Sequence, residues 1–425
     1  MTGELKLKPI VAFIGLACLI GWVLFGWAYS ASGKIDQWAL LGLQVGPLLA
    51  ALITAKWIDQ GPVWARLGCT RRINKWFLVA WLLPILVIAL ATFSSVGMPG
   101  VDFIPWTQGY LAIAGENLPP NAVEAISKSQ TPYWQVLLRA ATIGAVMFSI
   151  GGLLEEVGWR GYLWQLMRPR GFLFASFSIG LIWGLWHAPL IVAGWVYPGY
   201  PILGVVLFTL ACVLLGPLFG LIREKSGSVF AAALTHGTLN SFAGVSLYVL
   251  SGNSPFTKGL FGLMGFVVMS MCAAYVAAFY LPKDAGSETT QLDQANFKRY
   301  NLEIVWASIV YGVSLFAWIA GYRFIEPGFF RALSAAIPTA GASLFLLAMY
   351  RHYRRVDERR QRLMLEIIAW AAGATVISAM GYTFLEIGSK LPKLSMTVVV
   401  VAMGTYSWVV SMIYGLRGHG NPFWR

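Results

Sequence analysis

Twelve apolar runs, each about as long as a bilayer core is thick, recur along this chain. They lie near 9–30, 38–55, 76–97, 135–165, 172–194, 201–222, 228–250, 259–281, 304–322, 332–350, 364–385 and 395–416. About 20 apolar residues in a helix cross the hydrocarbon of a membrane, and a helix satisfies its own backbone hydrogen bonds there. Runs of this length and number predict an all-α polytopic membrane protein. Composition agrees, with 58% hydrophobic and only 12% charged residues, against about 25% charged in soluble domains.

The formal net charge of +13 invites a nucleic-acid reading, but the placement of the charges excludes it. With the N-terminus inside, most Lys and Arg fall on cytoplasmic segments. One loop carries Arg66, Arg71, Arg72 and Lys75, and another carries Arg351, Arg354, Arg355, Arg359, Arg360 and Arg362. That asymmetry is the positive-inside pattern. It predicts a multi-pass protein of the plasma membrane with both termini cytoplasmic. Cys18, Cys69, Cys212 and Cys272 are scattered without metal-binding or disulfide spacing. The first run is longer than a signal-peptide core, so it reads as an uncleaved helix.

Two polar stretches punctuate the runs. The longer outer connection, Gly97 to Tyr133, holds five prolines, and Asn121 followed by Glu124 predicts a capped interfacial helix near 121–130. The other, 282–303, is charged and divides the chain. It leaves a region 1–281 with eight helices before it and a region 304–425 with four helices after it. Small-residue spacings such as Gly180/Gly184/Ala188 and Gly216/Gly220 permit close helix approach.

Within the apolar runs the ionisable inventory is short and clustered. Of 18 carboxylates and four histidines, only Glu155, Glu156, His187 and His236 lie deep in membrane-length stretches. An ionisable group in hydrocarbon is costly unless paired or hydrated, so such residues mark functional sites. Glu156 and Arg160 are four apart and share a helix face, the acid N-terminal, which favours pairing. Glu155 is rotated about 100° away and lacks that partner, which suits a general base. Pro189 removes a backbone hydrogen bond and opens the helix near His187. His236 and Asn240 are also four apart, presenting an imidazole and a carboxamide that can donate to a developing oxyanion.

The order Glu155-Glu156-x-x-x-Arg160, Trp183-x-x-x-His187, His236-x-x-x-Asn240 resembles the CAAX protease and bacteriocin-processing family, the type II prenyl-protein peptidases. The aromatic residue before Arg160 and Gly161 after it fit the first motif; the family usually has Phe where this chain has Trp183. The motif-bearing stretch is about 150–245, and the family's core bundle corresponds to 1–281. The last four helices lie outside the pattern. The resemblance implies an intramembrane endopeptidase acting without a covalent intermediate. Glu155, assisted by His187, would activate water; His236 and Asn240 would stabilise the oxyanion; Glu156 and Arg160 would support the site. It implies a membrane-associated peptide or protein substrate, CAAX-type and prenylated or otherwise, and no particular oligomeric state.

No cofactor is expected. Two glutamates and two histidines could ligate Zn²⁺, but the His-Glu-x-x-His pattern is missing. Two other function classes suit a chain of this kind. One is a secondary transporter, which places intramembrane carboxylates near the midplane; the uneven division and lack of a repeat count against it. The other is a catalytically silent immunity or scaffold relative.

Overall fold

The computed structural model describes residues 7–280 apart from Gly61, Arg71, Arg72, Pro99 and Asn253, most of 295–388, and isolated positions between 399 and 410. The chain divides into two compact units, Met1–Ala277 and Ala278–Arg425. Much of the 282–303 stretch, and of the runs at 304–322 and 395–416, falls outside the described residues.

Among the described residues, seven helices are long and apolar enough to cross a membrane: Leu7–Ser32, Gln37–Ile58, Trp76–Ser95, Tyr133–Arg170, Pro201–Ser226, Phe329–Arg355 and Glu358–Met380. The protein is a multi-pass α-helical membrane protein. In the first unit we number α1 (Leu7–Ser32), α2 (Gln37–Ile53), α3 (Trp76–Ser95), α4 (Tyr133–Arg170), α5 (Phe172–Trp186), α6 (Ala188–Val192), α7 (Pro201–Ser226), α8 (Val229–Leu247) and α9 (Leu263–Tyr280). Helix α8 carries a polar run that matters below: Thr235, His236, Thr238, Asn240 and Ser241.

Helix α4 organises this unit. Its 38 residues would stretch about 57 Å at ordinary helical rise, well beyond the ~30 Å of a bilayer core, so the element must project from it or tilt. Two wide π turns, Ala140–Gly144 and Val157–Leu163, interrupt its regular α-helical stretches. Its central stretch Ala145–Glu156 packs against α2 on one side and α8 on the other, while α8 also packs on α3 and α5 packs on α7. Glycine makes these approaches possible. A Cβ on Gly237 would lie 2.3 Å from the Ser149 amide nitrogen and 2.4 Å from the Ala145 carbonyl of α4. Gly180 and Gly184 likewise lie against the α7 backbone at Cys212 and Thr209.

The structure bears out one local reading and corrects another: the helix opens near His187 as Pro189 implied, and the cap of the interfacial helix differs. The fifth apolar run, read as 172–194, is two helices with a break at His187, whose N–H bonds back to Gly184 in a tighter turn. Pro189, without an N–H, sits in the first turn of the second piece, where no donor is required. The interfacial helix exists as Pro120–Ser127, but Pro119 occupies the cap position without a side-chain bond. Glu124 pairs forward with Lys128 at 2.5 Å rather than reaching back to Asn121; a proline at the first helical position already supplies the right backbone angle.

Candidate active site

Glu155 and Glu156 end the regular central stretch of α4, and the π turn that follows carries Arg160. All three side chains are buried. Arg160 Nη1 donates to Oε1 of Glu156 at 3.0 Å, the pairing expected from the i,i+4 spacing. The guanidinium also lies over two aromatic faces, 4.7 Å from the Trp183 ring centroid and 4.3 Å from that of Phe219. An arginine this deep thus has one carboxylate and two π faces in place of water. Behind it, the Arg160 carbonyl accepts from Arg223 Nε at 2.7 Å. Gly161 lets the short helix Val63–Leu67 close over this turn, since a Cβ there would sit 2.3 Å from the Leu67 carbonyl oxygen.

His236 from α8 reaches the same carboxylate: its Nδ1 lies 2.9 Å from Oε1 of Glu156. The sequence paired His236 with Asn240 as one donor face. In the fold the two diverge in company. His236 is buried and tied to Glu156, whereas Asn240 is half-buried and its carboxamide makes no hydrogen bond among the described residues. A carboxylate can only accept, so Nδ1 carries the proton and the outward Nε2 remains for chemistry.

His187 sits at the break between α5 and α6. Its Nδ1 donates to the Trp183 carbonyl at 2.8 Å, which fixes the tautomer and leaves Nε2 unprotonated in the neutral ring. Four aromatic rings enclose it. Trp183 and Trp186 contact it edge-on, Trp195 is parallel to it at 6.3 Å, and Phe208 lies 4.9 Å away.

Glu155 was expected to lack a partner. It lacks an ionic one among the described residues, but Trp183 Nε1 donates to its Oε2 at 2.9 Å. Helical-wheel reasoning treats one helix at a time and cannot find a bond from α5 to α4. Glu155 nonetheless stands close enough to interact electrostatically with both histidines. The Trp183 bond brings Glu155 against α5 one helical turn before the break at His187. Trp183 is the hub of the cluster, with ring centroids 5.6 Å from His187 and 5.5 Å from His236.

Gln44 on α2 carries no charge and so does not stand out among the ionisable groups of the sequence. Its carboxamide lies against Gly151, where a Cβ would be 2.9 Å from Oε1 of Gln44. Gly151 is one turn before Glu155 on the same face of α4; a polar side chain in mid-span was the signal. Among the described residues, no group of three His, Cys, Asp or Glu is arranged to hold a metal ion.

Comparison with known proteins agrees with the motif resemblance. Residues 136–242 match the family model described as type II CAAX prenyl endopeptidase Rce1-like. A 43-residue stretch is 46% identical to the protein named CAAX prenyl protease 2 of Methanococcus maripaludis, covering 10% of this chain and 16% of that relative. The matched stretch is thus about a sixth of the relative's length. The family match contains Glu155, Glu156, Arg160, Trp183, His187, His236 and Asn240.

Proposed function

We propose that this protein is a membrane-embedded endopeptidase that hydrolyses a peptide bond with water activated by Glu155. It acts from a bilayer in which the basic loops and both termini lie on the cytoplasmic side, as the distribution of Lys and Arg supports. The observation that carries the reading is convergence: three motifs from α4, the α5–α6 break and α8 meet around the Trp183 ring. Membrane depth makes that convergence costly unless it is used.

The chemistry follows from which lone pairs remain. Oε2 of Glu155 is occupied by the indole, while Oε1 has no hydrogen-bond partner among the described residues. Oε1 takes a proton from water as its oxygen attacks the carbonyl carbon, and Nε2 of His187 accepts the water's second hydrogen bond and orients it. The tetrahedral oxyanion accepts from the Asn240 carboxamide and from His236. Nε2 of His236 can donate only in the doubly protonated ring, whose positive charge Glu156 offsets. Glu155 then returns its proton to the amide nitrogen, the C–N bond breaks, and the amine departs. Glu156 and Arg160 hold the cluster and exchange no proton. No step is routed through a metal. The substrate class we favour is a membrane-associated peptide of the CAAX type, as the names of the matched family and relative suggest.

The test is cleavage of an internally quenched peptide with a farnesylated cysteine near its C-terminus, alongside its unprenylated counterpart, by purified protein in detergent. Glu155→Gln keeps shape and hydrogen bonding but cannot take the proton, so the rate should fall about 10²–10⁴-fold with thermal stability intact. A Glu155→Gln protein that cleaves at the wild-type rate would sink the mechanism. Equal cleavage of both peptides would keep the endopeptidase and remove the prenyl requirement.

A further inference from the structure

We propose that Trp183 is a positioning residue whose indole N–H selects the working oxygen of Glu155. This rests on Glu155 being the base, and it concerns an atom that phenylalanine, the residue usual in the resembling family, does not have. Three observations converge on it. Trp183 Nε1 donates to Oε2 of Glu155 at 2.9 Å, in a site where both side chains are buried. Oε1 of the same carboxylate has no hydrogen-bond partner among the described residues, so the two oxygens are chemically distinct. The Trp183 carbonyl accepts from Nδ1 of His187 at 2.8 Å. One residue therefore sets both members of the water-activating pair, through its side chain for the acid and its backbone for the imidazole.

The physical consequence is directional. A free carboxylate rotates about its last bond and presents either oxygen, whereas an N–H on Oε2 pins the plane and aims the Oε1 lone pairs. Loss of that N–H frees the carboxylate to turn, so Oε1 is presented to the water less often and the chemical step slows. The ring does separate work, since its face meets Arg160 and its edge meets both histidines. Removing the N–H while keeping a ring isolates the positioning role.

Trp183→Phe is that variant, measured as separate kcat and KM values on the quenched farnesylated peptide. The kcat should fall roughly 10–100-fold, the equivalent of one hydrogen bond to a charged group, and KM should change little. Trp81→Phe is the control. It removes an indole N–H of α3 bonded to the Ala141 carbonyl at 2.6 Å, so any loss of stability should leave kcat in place. A folded Trp183→Phe with the wild-type kcat overturns the proposal. Inactive Glu155→Gln beside it would show that the base assignment itself stands. If Trp183→Phe does not survive purification, the wild-type protein and Glu155→Ala are compared with ¹⁵N-labelled tryptophan. One indole N–H signal should move toward its unbonded position when the acceptor is deleted, and an unchanged set of indole signals would equally overturn the idea.

Discussion

Each of the two units buries a histidine completely or nearly so, and the surroundings of the two differ in kind. In the first unit His236 lies in mid-helix among apolar neighbours, bonded to Glu156, which is itself bonded to Arg160. In the second, His352 is in the last turn of the helix Ala336–Arg355 and stacks on Tyr300 at 4.2 Å, with ring planes 18° apart. The charged groups nearby are also at the helix end: Arg355 Nη2 bonds Glu303 at 2.7 Å, and the Gln361 amide caps the Tyr353 and Val356 carbonyls. That arrangement fastens two helices where they leave the apolar core. Polar groups at a helix end find partners on neighbouring termini and loops, so their burial implies little about function. Polar groups in mid-span must be paid for by function or by exact pairing, and the first unit does both.

The largest effect expected from breaking this contrast is at Glu156. Glu156→Gln leaves Arg160 without its charge partner and His236 without its anionic acceptor. Removing one member of a buried pair costs about 3–5 kcal/mol. The variant should denature well below wild type in detergent while keeping some cleavage, the reverse of Glu155→Gln. A Glu156→Gln protein as stable as wild type would mean that the pair is not what holds α4 and α8 together.

These two adjacent acids also show where sequence reasoning reaches its limit. The Glu156–Arg160 pair was legible because both partners lie on one helix, where a fixed rotation per residue predicts neighbours. The helix break at His187 was legible from Pro189, because a missing N–H has a local consequence. The bonds from Trp183 to Glu155 and from His236 to Glu156 cross between helices. They depend on the vertical registry of α4, α5 and α8, which apolar periodicity does not encode. The motif order showed that these residues belong together without showing which atoms meet. The π turn at Val157–Leu163 was invisible for a related reason, since nothing in its run of residues separates a π turn from an α-helical one.

Glycines carry the same contrast at a smaller scale. Gly237 faces the backbone of α4 with no room for a methyl group, while Gly373 in the helix Glu358–Gly388 has nothing within 4 Å of an added Cβ. Gly237→Ala must push α8 away from the glutamates, at a cost of about 1–3 kcal/mol typical of overpacking, and cleavage should drop with it. Gly373→Ala should change stability by about 1 kcal/mol at most, in the stabilising direction, because alanine is the better helix former. Thermal denaturation of the two variants side by side reads this directly. Equal losses would mean that helix packing in the first unit is no tighter than in the second.

The smallest effect is expected from the largest deletion. If the chemistry resides wholly in the first unit, a protein ending at 281 should insert, fold and cleave the quenched peptide with unchanged kcat/KM. The two-unit division at Ala277 supports this, as does the position of every motif residue before Ser241. The buried acids of the proposed site find their hydrogen-bond partners on α4, α5 and α8, all within the first unit. The second unit would then act on something other than the bond-breaking step. Cleavage and thermal stability measured on the shortened protein decide the matter. A truncated protein that is folded and correctly inserted, yet inactive, would show that the second unit completes the site.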